Sequence, residues 1–497
     1  MSTDLYTDRS RVISYQRCKR QRWHEYHQDG IGIVPARQSV ALTVGGCFHS
    51  AVAMLLLNCT LANREQWRTV EEAAVSIGLR EFNDQADAGL DVEMGEALPR
   101  IAQDATVFQT QIEMQVPTGG AEYDAYLRAE QACLLEALVR CWARRGLPRL
   151  LAEYEVLEVE REGKWLLAEG VTQTVECLWF LSRPDALLRH RQSGDLVLQS
   201  FKTTGAMDAR KLRDAERDMQ GLSEGVEVEQ RLARWWELLQ LSGEEMDSHS
   251  AEIDKASRDM SQSMIDWLSD LTTPPRITAI RYEYILKGER DKRSRVAKAL
   301  SARVGFEARI QQSPLCYLWV KPGMTAADTE IAHSFGWTDA SGKERKLAWQ
   351  SWNQAPVWEH TTVGAWIDLL DAGTVQPEAG RDILSEQLVP PVTVFRQEDD
   401  LRDMVEQVEA QEVQVARDMA YVQEIDDESE KRSRLNQRFP QTRTACSYPG
   451  ECAYVPICFG GADIRRDPMG SGKYKARVPN HPTELIQIAQ GEDNGTN

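Results

Sequence analysis

The sequence predicts an α/β protein in which helices flank a central mixed β-sheet. Three observations favour this class: apolar residues at helical spacing near the start, a group of short strand-like segments after them, and a long charged helical segment that follows. Of the 497 residues, 42% are hydrophobic and 27% are charged, which is typical of a folded globular chain. This composition excludes a mainly disordered chain, a collagen-like fibre and a disulfide miniprotein.

The predicted elements follow one another in a simple order along the first 290 residues. The spacing of apolar residues and the turn residues between them indicate two helices, then four strands, then a third helix. The helices are predicted at 38–62, 121–146 and 207–242, and the strands at 151–160, 164–168, 175–188 and 194–203. Two more strands are predicted at 276–286 and 314–322.

The second half of the chain has a different composition. Residues 323–375 are rich in Trp, Gly and Thr without a clean period, which indicates an insertion or a small subdomain. Residues 398–432 predict an acidic helix, and the polar segment after Asp463 predicts a partly disordered tail.

Charge and hydropathy limit the function classes. The net charge of −19 argues against a protein that coats nucleic acid electrostatically, although the basic stretches at 9–22 and 287–303 suit DNA in a groove. Solvated helix faces explain each stretch equally well. No apolar run reaches the ~18 residues of a membrane span. No signal peptide opens the chain, so we expect a cytoplasmic protein without a membrane partner.

One short loop, CSYPGECAYVPIC, holds three cysteines: Cys446, Cys452 and Cys458. Cys18 is the only other cysteine in a polar, basic setting, and the remaining six lie in apolar runs that predict small buried side chains. Four thiolates suit either zinc or an iron–sulfur cluster. Both gaps in the loop are five residues long, whereas zinc sites usually carry closer pairs, which mildly favours the cluster.

A second group combines acids with a lysine. Asp185 follows Pro184, and Lys202 ends the next strand, so a carboxylate and an ammonium can meet at one end of a hairpin. A carboxylate holds a hard divalent cation through oxygen, and a nearby lysine can orient water or stabilise charge on phosphate. A surface ion pair gives the same pattern, and a lone histidine such as His49 is more often a satisfied core residue.

The order of the motifs carries more information than any one of them. It runs Ser14 to Cys18, Gly45 to His49, Glu153 and Glu155, Pro184-Asp185, Ser200 to Thr203, Gln220 and FPQTRTACSYPGECAYVPIC. This order resembles the PD-(D/E)XK nuclease superfamily, in the branch with a four-cysteine iron–sulfur cluster that includes RecB-like and AddB nuclease domains. The matches cover roughly residues 14–225 and 438–459.

The resemblance implies a restriction-endonuclease-like core and metal-dependent hydrolysis of a phosphodiester bond. By this resemblance, His49, Asp185 and the Ser200 position would hold Mg2+ or Mn2+. Lys202 would position the attacking water, with Gln220 and Glu155 completing the catalytic set. The ligands of a [4Fe–4S] cluster would be Cys18, Cys446, Cys452 and Cys458.

Ser200 departs from the family pattern, which expects Asp or Glu two residues before the lysine. Gln199 cannot replace that acid because neighbouring strand residues point to opposite faces, and a neutral hydroxyl is a poor ligand for a hard dication. Metal affinity should then be weaker, or another acid completes the site, and the candidates are Asp195, Glu153 and Glu155. Alternatively, the chain keeps the fold and has lost catalysis.

We therefore expect a metal-dependent DNA nuclease, with exonuclease action favoured, that works in recombination, repair or phage DNA processing. No Walker-type motif is present, so a separate helicase or recombination protein is an expected partner. A catalytically inactive DNA-binding or scaffold protein with the same fold is the alternative, and a zinc-stapled structural protein is a third. The expected parts are a nuclease core (1–290), an accessory region (291–430), a cysteine loop that returns to the core (431–463) and a polar tail (464–497).

Overall fold

The structure is a computed structural model. It describes residues 3–36, 40–87, 131–287, 363–372, 382–447 and 451–484, apart from residues 133, 243, 397 and 426, and four short strands between residues 289 and 345. The strand predicted at 314–322 and most of the segment at 323–375 lie outside the described residues.

The N-terminal part is mainly helical. Its elements are β1 (Thr3–Asp8), α1 (Arg9–Arg17), α2 (Lys19–Tyr26), β2 (Ile33–Pro35), α3 (Val40–Asn58) and α4 (Trp67–Asp87). The described residues of 131–141 are helical and continue through a π-helical turn (Trp142–Gly146) into α5 (Leu147–Glu153). The helices predicted near 38–62 and 121–146 are therefore confirmed within the described residues.

The middle of the chain supplies the strands. Its elements are β3 (Tyr154–Val159), β4 (Gly163–Glu169), β5 (Val175–Ser182), β6 (Ala186–His190), β7 (Leu196–Thr204), α6 (Ala209–Glu216), α7 (Met219–Gln240), α8 (Glu244–Ser248), α9 (Ser250–Asp259), α10 (Gln262–Ser269) and β8 (Ile277–Leu286). The four short strands, which pair as two hairpins, are β9 (Glu289–Asp291), β10 (Ile310–Gln312), β11 (Trp337–Thr338) and β12 (Glu344–Arg345).

The C-terminal part returns to helices. Its elements are α11 (Val363–Asp371), α12 (Ile383–Glu386), β13 (Val392–Phe395), α13 (Glu398–Gln423), α14 (Glu428–Arg438), α15 (Val455–Phe459), α16 (Ala462–Arg466) and β14 (Tyr474–Ala476). Among the described helices, none alone is long and apolar enough to cross a membrane. A pair bent by 120°, 43–58 with 61–85, meets that test by length and composition only.

The central sheet has five strands in the order β13-β8-β7-β6-β3. Strands β7 and β8 are parallel and the other three pairs are antiparallel, so the predicted mixed sheet is confirmed. A second sheet has the order β1-β5-β4, with β1 parallel to β5.

Helices cover both faces of the central sheet, as the predicted α/β class requires. Val197 and Phe201 of β7 join a core that contains residues of α3, α4 and the helical segment at 131–153. Leu196 and Leu198 join a second core that contains residues of α7, α9 and α10. Successive side chains of β7 point to opposite faces of the sheet, so each one packs against one helical layer or the other.

Two predicted elements are each divided in the structure. The strand predicted at 175–188 is β5 in the small sheet and β6 in the central sheet, because Pro184 between them has no N–H to donate to a ladder. The helix predicted at 207–242 is α6 and α7, since Asp218 caps α7 by accepting from the N–H of Gln220.

Parts of the predicted accessory region and tail belong to the fold. Strand β13 pairs with β8 in the central sheet, and Met404 and Val408 of α13 pack with residues of the second sheet. Strand β14 pairs with β2. The acidic helix predicted at 398–432 is the pair α13 and α14, and its apolar side chains explain why it is held against the core.

Candidate functional site

The corner between the two sheets positions Asp185. Its Oδ2 accepts a 2.6 Å hydrogen bond from the backbone N–H of Phe201, and its carbonyl accepts from the N–H of Glu160 at 3.1 Å. Ala186 is paired with Gln199 in the β6–β7 ladder. Continuing this antiparallel register by one residue puts Asp185 level with Ser200.

His49 and Glu160 converge on Asp185. The Nδ1 of His49, on α3, lies 3.0 Å from the Oδ1 of Asp185. The potential ligand atoms of His49, Glu160 and Asp185 all lie within 4.8 Å of one another. Glu160 has a φ of 49°, a left-handed conformation that costs an ordinary residue about 1–2 kcal/mol and that follows directly after β3 ends.

Burial and mutual charge set the protonation of these three groups. Burial and then the Asp185 carboxylate raise the pKa of Glu160 to about 7. Burial opposes ionisation of Asp185, yet His49 and Lys202 together hold the pKa of that carboxyl below its usual value. Burial likewise disfavours the charged imidazole of His49, but Asp185 raises its pKa overall. The site therefore joins an ionised Asp185 to a second carboxyl that titrates near neutrality.

Lys202 lies on the α7 side of the sheet, where it contacts the start of α7. Its Nζ donates to the Oε1 of Gln220 and lies 3.8 Å from Asp218. Arg9, at the start of α1, donates to the same Gln220 oxygen at 2.9 Å and pairs with Asp218 at 3.1 Å. Gln220 thus holds Lys202 in place, and Arg9 is a partner of both that the sequence did not indicate.

Ser200 and Gln199 have the opposed orientations expected of neighbouring strand residues. Gln199 is fully buried and its Oε1 accepts from Arg281 of β8. Ser200 is also buried, and its Oγ has no hydrogen-bond partner among the described residues. A buried hydroxyl without a partner is uncommon, and it leaves room for a ligand or a water at this position.

Glu224 is a buried acid that the sequence analysis missed. It lies on α7, four residues after Gln220, and its Oε1 accepts from Gln220 at 2.8 Å. Its Oε2 is buried and has no hydrogen-bond partner among the described residues. Burial and then the nearby Asp185 raise the pKa of Glu224 well above its usual value. The i, i+4 spacing from Gln220 was the sequence signal that could have found it.

The three acids proposed as replacements for the missing carboxylate lie elsewhere. Glu155 pairs with Arg189 at 2.5 Å. It lies on β3 four residues, or about 13 Å, before Val159, where the strand ends. Glu153 is exposed at the end of α5. Asp195 accepts from Ser193 in the exposed turn before β7, at the end opposite Lys202. The structure thus does not bring Glu155, the predicted catalytic acid, to Asp185, and Glu160, directly after β3, is the acid that reaches it.

The four predicted cluster cysteines come from both ends of the chain and approach one another. Cys18 separates α1 from α2, and its Sγ accepts from the N–H of Thr442 at 3.3 Å. Cys446 and Cys452 are joined by a backbone hydrogen bond of 2.8 Å. Burial raises the pKa of the Cys458 thiol to about 11, and charge on the other three sulfurs raises it as well.

Among the described residues, the four sulfur atoms are not drawn together as a single-ion site. No three of these sulfur atoms lie within 4.8 Å of one another in the described structure. A single zinc with Zn–S bonds of about 2.3 Å brings its sulfur ligands to about 3.8 Å from one another. The Nε2 of His24, a further residue not indicated by the sequence, lies 3.8 Å from the Sγ of Cys458.

Three arginines of the basic stretch at 9–22 are buried: Arg11, Arg20 and Arg22. The interpretation of the stretch as a DNA-binding or solvated surface is therefore wrong for these three residues. Arg20 donates to the carbonyl of Phe439 at 2.8 Å, and Arg22 pairs with Glu412 at 2.7 Å. Arg20 and Arg22 thus dock α2 on α13 and the end of α14, whereas Arg11 pairs with Asp8 and Glu484. Most of the second basic stretch, 287–303, lies outside the described residues.

Comparisons with protein-family models and with curated proteins assign no family to this chain. No protein-family model matches the sequence, and no curated protein matches it significantly.

Proposed function

We propose that this protein is a metal-dependent DNA nuclease with a restriction-endonuclease-like core. The observation that carries the proposal is the convergence of His49, Glu160 and Asp185 within 4.8 Å at one end of a mixed five-stranded sheet. Lys202 and Glu224 lie beside them on the α7 side. An imidazole, several carboxylates and a lysine are the groups that phosphodiester hydrolysis assisted by a divalent cation requires.

The donor set fits Mg2+ or Mn2+. Two acids and one imidazole, Glu160, Asp185 and His49, face the same point, and Glu224 lies close enough to interact with the charge of Asp185. Two buried polar atoms, the Oε2 of Glu224 and the Oγ of Ser200, have no partner among the described residues. His49, Asp185, Glu160 and Glu224 would hold the ion. A bound dication supplies positive charge that activates water and neutralises the charge that develops on phosphate.

The protein's own residues orient the carboxylate and the ammonium group that act on the phosphate. Asp185 is held in one orientation by the N–H of Phe201 and by His49. Lys202 is fixed by Gln220, so its ammonium can orient water and stabilise negative charge on a phosphate oxygen. Arg9 and Asp218 keep Gln220 and Lys202 together and so preserve this geometry when no substrate is bound.

Cleavage assays with defined substrates test the proposal. Wild-type protein should degrade single- or double-stranded DNA with Mn2+ or Mg2+ and be inert in EDTA. Asp185→Ala and Lys202→Ala should each lower the rate by about 10² or more, as loss of one electrostatic stabiliser commonly does. Asp195→Ala, in an exposed turn at the far end of β7, is the matched control and should cleave normally. Activity that persists in Asp185→Ala would contradict the assignment.

We further propose that the four cysteines hold a [4Fe–4S] cluster. Their sulfur atoms lie close enough to interact electrostatically, and the two five-residue gaps in the loop favour a cluster over zinc. The cluster would tie the N-terminal helices to the loop after α14. DNA is the expected partner, together with a separate helicase or recombination protein.

The second candidate function is a DNA-binding or scaffold protein with the same fold and no catalysis. The observation that favours it is the neutral Ser200 at the position where the resembled family carries an acid. Inert wild-type protein across several substrates with both metals, accompanied by DNA binding, would establish this alternative in place of the nuclease.

A further inference from the structure

A cavity lies between the edge strand β4 and the helices α7 and α9. It has a volume of about 610 Å³ and is lined by residues 161–166, Trp179, six residues of α7, residues 252, 255 and 256 of the α9 region, and Thr483. This volume is in the range of small-molecule sites, and a nucleotide fits within it. None of the residues of the candidate metal site lines it.

The lining carries an excess of positive charge in an acidic protein. Five basic residues and three acidic residues line the cavity, whereas the whole chain has a net charge of −19. All three acids already have partners: Glu162 binds Thr483 and His481, Glu227 binds Arg231, and Glu252 binds Arg234. Within the described part of the chain, no ion pair engages Lys164 or Lys255, so both ammonium groups remain available to an anion.

Aromatic side chains line the same cavity. Trp235 is contacted by the guanidinium groups of Arg161 and Arg231, and Trp179 by the ammonium of Lys164 at 4.2 Å. Trp165 is 3% exposed, and its Nε1 is a buried donor without an acceptor among the described residues. Indole N–H groups usually find a partner when buried, so Trp165, which lines the cavity, has one hydrogen bond left to donate.

The cavity adjoins the candidate metal site along two elements. Arg161 directly follows Glu160, which converges on Asp185. Glu227 lies on α7 three residues after Glu224, which is about 4.5 Å along the helix axis. The cavity and the candidate metal site are therefore built from neighbouring residues of the same two segments.

We propose that this cavity binds a nucleoside monophosphate unit. Lys164 and Lys255 hold its phosphate, the indole N–H of Trp165 donates to an acceptor on the base or phosphate, and the Trp179 and Trp235 rings contact the base. The choice of a nucleotide among anionic ligands rests on the proposed function. The unit comes from a bound DNA strand or from a free nucleotide product, and both sources present the same chemistry.

Calorimetric titration in EDTA, where no cleavage occurs, tests the inference separately from catalysis. The ligands are dAMP, a 5′-phosphorylated deoxydinucleotide and inorganic phosphate. We expect saturable binding of dAMP, weakened at least about tenfold by Lys164→Gln combined with Lys255→Gln, since charge-assisted contacts are the strong ones. Trp165→Phe keeps the ring and removes the donor, and should weaken binding about fivefold. Lys473→Gln, an exposed lysine outside the cavity, is the control and should bind as wild type.

The outcomes separate the possibilities. A dinucleotide that binds more tightly than dAMP assigns the cavity to the strand, and equal binding assigns it to the free nucleotide; both support the site. No saturable binding, binding that the lysine variant leaves unchanged, or inorganic phosphate that binds as tightly as dAMP would overturn it. A protein that binds dAMP but cleaves no DNA would retain this site while losing the proposed function.

Discussion

The backbone N–H of Phe201 donates to the Oδ2 of Asp185 at 2.6 Å, which ties the corner before β6 to the middle of β7. Because this bond fixes Asp185 level with Ser200, any second carboxylate must come from an element that faces the same point. Glu160 reaches it from the end of β3, and Glu224 approaches from α7. Under the proposed function, these two carboxyls would take the place of the acid that β7 lacks.

The first prediction concerns Glu224. Glu224→Gln should lower Mn2+-dependent cleavage by about 10² or more, because it removes a carboxylate that would hold the ion. The free energy of unfolding in EDTA should not fall, since burial already disfavours the ionised carboxyl and glutamine keeps the same shape. Glu216→Gln, at an exposed position on α6, is the matched control for both measurements. Unchanged cleavage in Glu224→Gln would remove this residue from the site.

The second prediction concerns Ser200. Adding Ser200→Asp to the Glu224→Gln variant should restore much of the lost Mn2+-dependent cleavage, because a carboxylate at 200 adjoins Asp185 just as Glu224 does. Rates measured for the wild type, both single variants and the double variant form a cycle that isolates the coupling of the two positions. Two independent losses with no rescue would mean that the positions do not serve the same ion.

The third prediction concerns the cysteines. Protein purified without oxygen should be brown and contain iron and acid-labile sulfide, and Cys452→Ala or Cys458→Ala should bleach it and lower its solubility, since metal binding is coupled to folding. Cys59→Ala, a buried cysteine on the opposite part of the fold, should keep its iron. Stoichiometric zinc without sulfide would contradict the cluster and would mean that the four cysteines bind zinc instead.

The fourth prediction concerns the buried pair of Arg22 and Glu412, whose side chains are each 2% exposed and 2.7 Å apart. Glu412→Gln should lower the free energy of unfolding by about 3–5 kcal/mol, because it leaves Arg22 charged and unpaired in the core. Removing an exposed partner, as in Arg402→Gln, should cost about 1 kcal/mol or less. Urea denaturation measures both, and equal effects would show that Arg22 finds another partner.

Much of the fold was predictable from the sequence, because β7, β8 and the helix α3 have clear apolar periodicities. The burial of Cys47, Cys59 and Cys141 was predicted correctly from their apolar neighbours. The split at Pro184 was missed although proline has no N–H, because the apolar residues on both sides continue the strand pattern.

The site was predictable only where the order of motifs along the chain indicates its residues. His49, Lys202 and Gln220 lie on three elements and Asp185 on the corner before β6, and their order along the chain gave the prediction. In the structure His49 contacts Asp185, Lys202 contacts Gln220, and the charge of Lys202 acts on Asp185. Glu160 and Glu224 could not be ranked among many acids, because their roles depend on which element ends at the Asp185 corner. The burial of Arg22 could not be predicted either, because its partner Glu412 lies 390 residues away in the sequence.

The fifth prediction concerns acid stability. Burial and then Arg22 hold the pKa of His27 well below its usual value, and its Nε2 accepts from the Nε of Arg22 at 3.0 Å. The unfolded chain, in which the histidine pKa is about 6.5, therefore binds one more proton than the folded chain below that pH.

Stability linked to His27 is thus fully present above about pH 6.5 and is lost as the pH falls, by about 1.4 kcal/mol between pH 7.5 and 5.5. His27→Gln keeps an acceptor for Arg22 but does not titrate, so its free energy of unfolding should fall by about 1.4 kcal/mol less than that of the wild type over this range. His249→Gln, on the surface at the start of α9, should behave as the wild type. Urea unfolding at both pH values measures the difference, and identical losses in wild type and His27→Gln would mean that His27 is protonated in the folded protein.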